Sequence, residues 1–212
     1  MAHEFDTDKI AVIKNWLGTG SINIFGMPFA GKDTQGRILS ELFDCPLLGG
    51  GDILRGSIIP ERSQEALRMG KLIPTEDYVN IVLPYLSQEE FSGHPLILSS
   101  VGRWHGEEDG VVEATKQSGH PLKAIIHLDI TEAGVFERWR KSQEERSKGD
   151  RGDRTDDVIE IIKVRLDEFR DKTVPVINHY RQTNMFLEIS TERPAVEVTA
   201  DILNFLYDLA TS

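Results

Sequence analysis

The sequence lacks paired cysteines, a membrane-length apolar run, a secretory signal and an excess of basic residues, and each absence argues against a class of proteins. Cys45 is its only cysteine, so no internal disulfide can form. We expect Cys45 to pack as a small apolar residue near the core, and we expect the protein to be cytoplasmic. No apolar run approaches the roughly 18 residues of a membrane helix, and the charged N-terminal stretch does not resemble a secretory signal. With 35 acidic and 24 basic residues, the net charge of −11 argues against a general nucleic-acid binder but permits a local basic pocket.

The sequence does contain a regular alternation of strand-like and helix-like segments. The predicted strands are 21–25, 46–48, 96–98, 124–128 and 185–190. The predicted helices are 6–17, 31–43, 61–69, 75–91, 107–118, 132–147, 155–170, 173–183 and 195–210. This alternation predicts an α/β fold, in which helices flank a central parallel sheet on both faces. We assign residues 1–20 to an N-terminal extension and residues 21–212 to a single domain.

A glycine-rich loop between the first strand and the second helix carries the clearest chemical signal. Gly26, Gly31 and Lys32 have the spacing G-x-x-x-x-G-K. Glycines allow such a loop to point its backbone N–H groups inward, and the helix dipole adds positive potential at the same place. The lysine supplies a point charge for the β- and γ-phosphates of a nucleotide. The strand before the loop and the helix after it favour a phosphate site over a chance glycine–lysine turn.

Five stretches together resemble the nucleoside monophosphate kinases of the adenylate kinase family. GMPFAGKDTQ at 26–35 is similar to the family pattern G-x-P-x-x-G-K-G-T-Q, and GGGDILR at 49–55 is similar to T-G-D-M/L-L/F-R. RLDEFRDKTVPVINHY at 165–180 is similar to R-L-x-x-Y-x-x-x-T-x-P-V/L-I-x-x-Y. MGKLIPTEDYV at 69–79 and RGDRTDD at 151–157 add to the resemblance, which runs from about residue 21 to the C-terminus.

The resemblance implies a P-loop kinase fold with a monophosphate-binding helical insertion at about 51–80 and a short lid at about 139–153. It implies transfer of the ATP γ-phosphoryl group to a nucleoside monophosphate, AMP by preference, with Mg²⁺. Such transfer needs positive charge around the phosphoryl oxygens and two substrates held in line. We expect nucleoside tri- and monophosphates as partners, no nucleic acid and no membrane, and a monomer.

The resemblance also implies a role for individual residues. Residues matching those that act on the transferring group are Lys32, Arg138, Arg154 and Arg165. Residues matching the ATP site are Gly26, Pro28, Ala30, Gly31, Lys32, Asp33 and Thr34. Residues matching the monophosphate site are Gly50, Asp52, Arg55, Lys71, Ile73, Arg103 and Glu107. The expected Mg²⁺ contacts are Asp33, Thr34 and Ser99.

The chain departs from the family pattern where the metal is expected. The family's third strand ends D-G-F/Y-P-R, and alignment on Arg103 places the family aspartate on Ser99. Asp33 replaces the glycine that follows the loop lysine in the family. Two interpretations of Asp33 stay open: it restores a carboxylate to the metal site, or it caps the following helix. The loss at Ser99 keeps a catalytically weak nucleotide-binding protein as an alternative function.

A second departure concerns the acceptor base. Gly50 stands in place of the family threonine, and Glu107 in place of the glutamine that binds adenine. An ionised carboxylate only accepts hydrogen bonds, so Glu107 suits guanine better than adenine, although Glu108 could take the same place. GMP is therefore the alternative acceptor. Trp104, beside Arg103, either stacks on a base or packs within the protein. A sugar or shikimate kinase would leave GGGDILR and RGDRTDD unexplained.

Overall fold

A computed structural model describes residues 5–147 and 158–212. Its sheet contains five strands, and every neighbouring pair is parallel. The strands are β1 (Ser21–Gly26), β2 (Leu47–Gly49), β3 (Leu96–Ser99), β4 (Leu122–Asp129) and β5 (Phe186–Ser190). This architecture confirms the predicted parallel α/β fold.

Helices connect the strands and cover both faces of the sheet. Those in the first half of the chain are α1 (Thr7–Leu17), α2 (Lys32–Phe43), α3 (Gly50–Gly56), α4 (Glu61–Arg68) and α5 (Thr75–Tyr85). Those in the second half are α6 (Glu108–Gln117), α7 (Glu132–Ser147), α8 (Ile159–Glu168), α9 (Val174–Tyr180) and α10 (Ala195–Thr211). A 3₁₀ turn spans Glu89–Phe91, and a π turn at Phe169–Thr173 joins α8 to α9. Among the described helices, none has the length and apolar character needed to cross a membrane.

The strand order is β2-β3-β1-β4-β5, with β1 at the centre. The chain runs from β1 outward to β2, returns to β3 beside β1, and then crosses to β4 on the other side. In open parallel sheets, ligands bind in the crevice beyond the carboxyl ends of the strands where the connections change direction. This order brings the loops that follow β1, β2 and β3 to one edge of the sheet.

The main core lies where α1, α2 and α10 cover one face of the sheet. All six residues of β1 are buried, as expected for a strand covered on both faces. Helix α1 begins after Asp6, whose carboxylate accepts from the N–H groups of Asp8 and Lys9 at 2.9 and 3.1 Å. Ile13 and Leu17 of α1 are fully buried in this core. Part of the predicted N-terminal extension therefore packs as an integral layer of the domain.

Several predicted helix bounds differ from the observed ones for local reasons. The segment 75–91 is not one helix, because α5 contains Pro84 and ends at Tyr85 before the 3₁₀ turn. Helix α3 at 50–56 was not predicted, since three of its seven residues are glycines of low helix propensity. The predicted helix at 155–170 begins within the described residues at Ile159.

A buried amide connects β1 to the chain that leaves β3. The Nδ2 of Asn23 donates to the Val101 carbonyl at 2.7 Å, and its Oδ1 accepts from the Val101 N–H at 3.2 Å. Asn23 is fully buried, so water cannot replace either bond. The side chain therefore extends the sheet pairing beyond Ser99 and fixes the backbone that leads to Arg103.

We predict that Asn23→Leu lowers the free energy of unfolding by about 2–4 kcal/mol, since two backbone groups of Val101 lose their partner. Urea unfolding followed by circular dichroism measures the loss. The control is Asn80→Leu on the exposed face of α5, which should change stability by less than about 0.5 kcal/mol. Equal stability of the two variants would contradict the account of Asn23.

A second polar cluster joins α4 to the start of α5. Arg62 donates from Nε and Nη2 to the two oxygens of Asp77 at 2.8 and 2.5 Å, and Ser63 donates to Asp77 Oδ2 at 2.5 Å. The hydrogen bonds from Arg62 and then Ser63 lower the pKa of the Asp77 carboxyl below its ordinary value. The ionised carboxylate is thus part of the folded state.

This lowered pKa gives a pH dependence with a defined sign. The stabilisation is complete above the ordinary carboxyl pKa of about 4 and is lost as pH falls through the lower, folded-state value. We predict that Asp77→Asn reduces the fall of the unfolding free energy between pH 4 and pH 2, as measured by urea titrations at each pH. Glu41→Gln, which removes an exposed carboxylate of α2, is the control and should leave the curve unchanged. An unaltered curve for Asp77→Asn would refute the assignment.

Candidate active site

A cleft of about 900 Å³ opens at the carboxyl edge of the sheet. Its walls come from the loop after β1, the start of α3, the segment before α5, the loop after β3, and helices α7, α8 and α10. The predicted site residues that line it are Gly26, Pro28, Ala30, Gly31, Lys32, Asp33, Thr34, Gly50, Asp52, Arg55, Lys71, Ile73, Ser99, Arg103, Arg138 and Arg165. Arg154 lies outside the described residues.

The cleft reverses the charge of the protein as a whole. The acidic side chains that line it are Asp33, Asp52 and Glu145. The basic side chains that line it are Lys32, Arg37, Arg55, Lys71, Arg103, Arg138, Lys141, Arg165 and Arg193. In a chain of net charge −11, this concentration of cations attracts anionic ligands to one place.

The loop from Gly26 to Gly31 has the backbone geometry of an anion cradle. A Cβ atom at Gly26 would lie 2.8 Å from the Leu128 carbonyl oxygen, so only glycine fits against β4 there. Gly31 has φ of 96° and ends the loop as the residue before α2. Phe29 has φ of 62°, a conformation that is uncommon outside glycine and that clusters at ligand sites.

Lys32 is the first residue of α2, and its ammonium group folds back over the loop. Its Nζ donates to the carbonyls of Gly26 and Met27 at 2.7 and 2.8 Å. These bonds hold the charge beside the anion cradle, at the helix end where the dipole is positive. Both features fit a lysine that contacts phosphate oxygens.

Oxygen ligands suitable for Mg²⁺ line the same part of the cleft. Helix α2 starts at Lys32 with Gly31 as its cap residue, so Asp33 lies inside the first turn and is not the cap. Thr34 follows it, and Ser99 reaches the cleft from the end of β3. Mg²⁺ is typically bound by one or two carboxylates with water and phosphate oxygens, and this donor set fits that requirement. No cluster of three or more His, Cys, Asp or Glu suited to a metal occurs in residues 5–147 and 158–212.

The other end of the cleft is formed around α3. Arg55 pairs with Asp52, one turn earlier on the same helix, at 2.5 Å, and both side chains are at least half exposed. An exposed pair of this kind contributes little to stability, so it leaves Arg55 able to exchange its partner for a ligand anion. Lys71 and Ile73, from the segment before α5, complete this end.

Arg103 is a cation of the cleft with a buried, unpartnered nitrogen among the described residues. Its Nε is buried and has no hydrogen-bond partner among the described residues, and its guanidinium forms no ion pair with them. Burial, with repulsion from Arg165, lowers the pKa of this guanidinium to about 10, so the group is still charged at neutral pH. A half-buried guanidinium whose Nε has no described partner, and which lines a cleft, points to an anionic ligand.

Glu107, predicted to contact the acceptor base, has one oxygen bonded to the backbone of the loop after β3. Its Oε2 accepts from the backbone N–H groups of Arg103 and Trp104 at 3.2 and 3.1 Å. Glu108 likewise accepts from the Gly106 N–H at 2.6 Å and contacts His105. Neither carboxylate is among the described residues that line the cleft. Both hold the loop after β3 in place, while the Oε1 of Glu107 is buried without a hydrogen-bond partner among the described residues. Contact of Glu107 with the acceptor base stays a prediction.

Arg138 on α7 connects the phosphate loop to the loop after β5. Its Nη1 donates to the Phe29 carbonyl at 3.0 Å, and its Nη2 donates to the Thr191 carbonyl. Arg165 reaches the same cleft from α8. The action of these two arginines on a transferring group stays a prediction.

The structure adds cleft residues that no sequence pattern indicated. Tyr78 of α5 is buried at the end of the cleft formed around α3. Thr191 and Arg193 line the cleft from the β5–α10 loop, and Ala195 lines it from the first residue of α10. These positions lie in an amphipathic helix and a connecting loop, where composition carries no chemical signal. Trp104 also lines the cleft: its Nε1 donates to the Ile73 carbonyl at 3.2 Å, while the Lys172 ammonium lies 4.1 Å from its ring centroid.

Comparison with known proteins identifies the family. The family model described as adenylate kinase matches residues 24–185. An adenylate kinase of Corynebacterium urealyticum is 31% identical over 163 residues, which cover 74% of this chain and 84% of that protein. One of Cyanothece sp. is 28% identical over 191 residues, which cover 88% of this chain and 94% of the other.

A solved structure supports the fold independently. A gluconokinase from Sinorhizobium meliloti superimposes with a TM-score of 0.60 at 17% identity, over 91% of this chain and 94% of its own. At that identity the likeness concerns the fold alone, a parallel sheet flanked by helices. The matched family span includes the glycine-rich loop after β1 and the end of the cleft formed around α3, and the chain belongs to the adenylate kinase family of phosphotransferases.

Proposed function

We propose that this protein transfers the γ-phosphoryl group of ATP to a nucleoside monophosphate, with AMP as the preferred acceptor. The observation that carries the proposal is Arg103, whose buried Nε lacks a partner in the part of the chain that the structure describes and which lines the same cleft as the phosphate loop. A phosphate group at this place would supply the missing anion. AMP is proposed because the relatives are named adenylate kinases.

The donor nucleotide occupies the end of the cleft formed by the phosphate loop. Gly26, Pro28, Ala30 and Gly31 surround the phosphates with backbone, and Lys32 exchanges its loop carbonyls for phosphate oxygens. The N-terminus of α2 adds its dipole. Together they stabilise charge that develops on the β–γ bridge.

The acceptor occupies the other end of the cleft. Arg55 and Arg103 bind its phosphate, because a guanidinium pairs with two phosphate oxygens at once. Asp52, Gly50, Lys71 and Ile73 surround the rest of the nucleotide. The region 51–80 is then the monophosphate-binding insertion.

The arginines near the centre act on the transferring group. Phosphoryl transfer asks for alignment and electrostatic stabilisation rather than covalent participation by the protein. Arg138, Arg165 and, in the segment outside the described residues, Arg154 supply positive charge to the equatorial oxygens. The short lid expected at 139–153 begins within α7, and its residues 148–153 lie outside the described residues. The protein acts as a monomer in the cytoplasm.

Mg²⁺, when bound, neutralises phosphate charge and orients the triphosphate. Asp33, Thr34 and Ser99 would hold it, directly or through water. Asp33 then supplies the carboxylate that the chain lacks at Ser99. If the carboxylate of Asp33 does not compensate for the aspartate that is missing at Ser99, the alternative function applies: a nucleotide-binding protein with weak catalysis.

A coupled assay with ATP and Mg²⁺ tests the function. The acceptors are AMP, GMP, CMP, UMP and dTMP, with gluconate included because a gluconokinase shares the fold. We expect the highest rate with AMP, for which two ADP are formed from each ATP and AMP consumed, because donor and phosphorylated acceptor are then the same product. Faster turnover of GMP would favour the alternative acceptor, and ATP hydrolysis unaffected by any monophosphate would refute the proposal.

Lys32→Met is predicted to lower kcat by about 100- to 1,000-fold, since one charged donor to the transition state is removed. Steady-state kinetics measure the loss, and urea unfolding checks that the fold persists. Lys116→Met, on an exposed face of α6, is the matched control and should keep full activity. A variant of Lys32 that retains more than about a tenth of kcat would contradict this role.

Asp33→Gly is predicted to raise the Mg²⁺ concentration that gives half-maximal activity. Adding Ser99→Asp to that variant should lower it again, because the carboxylate returns from the other side of the cleft. Asp33→Asn should behave like Asp33→Gly, since an amide carries no charge. If a magnesium titration gives the wild-type midpoint in all three variants, the interpretation that Asp33 replaces the metal-site carboxylate is wrong.

A further inference from the structure

Tyr78 has a hydroxyl group whose hydrogen-bonding capacity is only half used. The residue is 6% exposed and lines the acceptor end of the cleft. Its oxygen accepts from the Gly102 N–H at 2.8 Å. No acceptor for its proton occurs among the described residues, and Tyr78 makes no other hydrogen bond with them. Buried hydroxyl groups normally donate as well as accept, so this proton points to a ligand.

The surroundings of Gly50 show what the hydroxyl replaces. In the family pattern a threonine precedes the G-D pair, and this chain has Gly50 there. A Cβ atom at Gly50 would lie 3.5 Å from the Tyr78 hydroxyl oxygen and 3.3 Å from the Ser100 carbonyl oxygen. The tyrosine of α5 therefore brings a hydroxyl next to the place where α3 has lost one.

The position of the hydroxyl is rigid. Gly102, which donates to it, has φ of 72°, and a Cβ there would lie 2.4 Å from Val111. The backbone at Gly102 is thus held closely against α6, one residue before Arg103. The Tyr78 hydroxyl, which is bonded to this backbone, is therefore held at a fixed distance from Arg103, which we propose binds the phosphate of the monophosphate.

The character of the site indicates which part of the ligand it contacts. Tyr78 belongs to an apolar cluster that includes Leu54 and Ile73, and both of these also line the cleft. Burial raises the pKa of the Tyr78 hydroxyl well above its ordinary value, so the group is a neutral donor at physiological pH. A neutral donor among apolar side chains suits a flat heterocycle, whereas the phosphate charge is matched by Arg55 and Arg103.

We propose that the Tyr78 hydroxyl donates a hydrogen bond to the base of the acceptor nucleotide and is a specificity-determining residue of this chain. The inference rests on the proposed function, in that the acceptor is a nucleoside monophosphate. It assigns to α5 a contact that the family pattern expects from the residue at position 50.

Calorimetric binding separates the base contact from the phosphate contact. The probes are the monophosphate that binds the wild-type protein most tightly and ribose 5-phosphate, which has no base. Tyr78→Phe should weaken binding of the nucleotide by about tenfold, the effect of one neutral hydrogen bond. Binding of ribose 5-phosphate should change by less than about twofold on the same grounds.

A rescue variant guards against a merely structural effect, because Tyr78→Phe also removes the acceptor of the Gly102 N–H. Gly50→Thr alone should weaken nucleotide binding, since its side chain would crowd the Tyr78 hydroxyl. In the double variant, Tyr78→Phe with Gly50→Thr, the phenyl ring leaves room for the threonine. We expect the double variant to recover nucleotide affinity to within about threefold of wild type.

The outcomes separate this inference from the proposed function. An equal loss for both probes, no loss for either, or failure of the double variant to recover would overturn the role of Tyr78. Failure of the wild-type protein to bind any nucleoside monophosphate would overturn it as well. If Tyr78→Phe weakens binding of the nucleotide alone and the double variant recovers it, but the protein transfers no phosphoryl group, the base contact of Tyr78 is supported and the proposed catalysis is refuted.

Discussion

The structure depends on holding a partly buried cation, Arg103, whose Nε has no hydrogen-bond partner among residues 5–147 and 158–212. Such a charge is costly, and the loop that carries it needs support from several directions. Asn23 fixes the backbone at Val101, Tyr78 accepts from Gly102, and Glu107 accepts from the N–H groups of Arg103 and Trp104. These contacts come from β1, α5 and the start of α6. Much of the buried polar structure near the cleft thus serves one guanidinium.

The sheet order explains why this cation faces a phosphate loop. β1 lies beside β3, so the loop after β1 and the loop after β3 leave the same edge of the sheet as neighbours. In the proposed function the first loop binds anions through backbone N–H groups and Lys32, and the second through Arg103. Two anion sites in one cleft suit the joining of two phosphorylated substrates, the requirement of phosphoryl transfer. The acidic remainder of the protein confines this attraction to the cleft.

The sequence was sufficient to predict the parallel sheet, the phosphate loop and several of the charged residues that line the cleft, because buried strands and glycine spacing leave strong patterns. It was insufficient for α3, whose glycines disfavour a helix that tertiary contacts nevertheless stabilise. It also could not show that Glu107 turns toward backbone N–H groups, since side-chain direction is set by the folded loop. Tyr78 was missed because a tyrosine in an amphipathic helix looks like any core residue until its hydroxyl is located.

One measurement tests the central claim most directly: the unfolding free energy of Arg103→Met without nucleotide, together with its affinity for the acceptor monophosphate. Methionine keeps an unbranched chain and removes the unpartnered charge. The account predicts that the variant is as stable as the wild type or more stable, and that it binds the monophosphate at least about tenfold more weakly. Arg68→Met, at a side chain 71% exposed, should alter neither quantity. A variant of Arg103 that is less stable and yet binds the monophosphate normally would contradict the account, because the cation would then serve the fold.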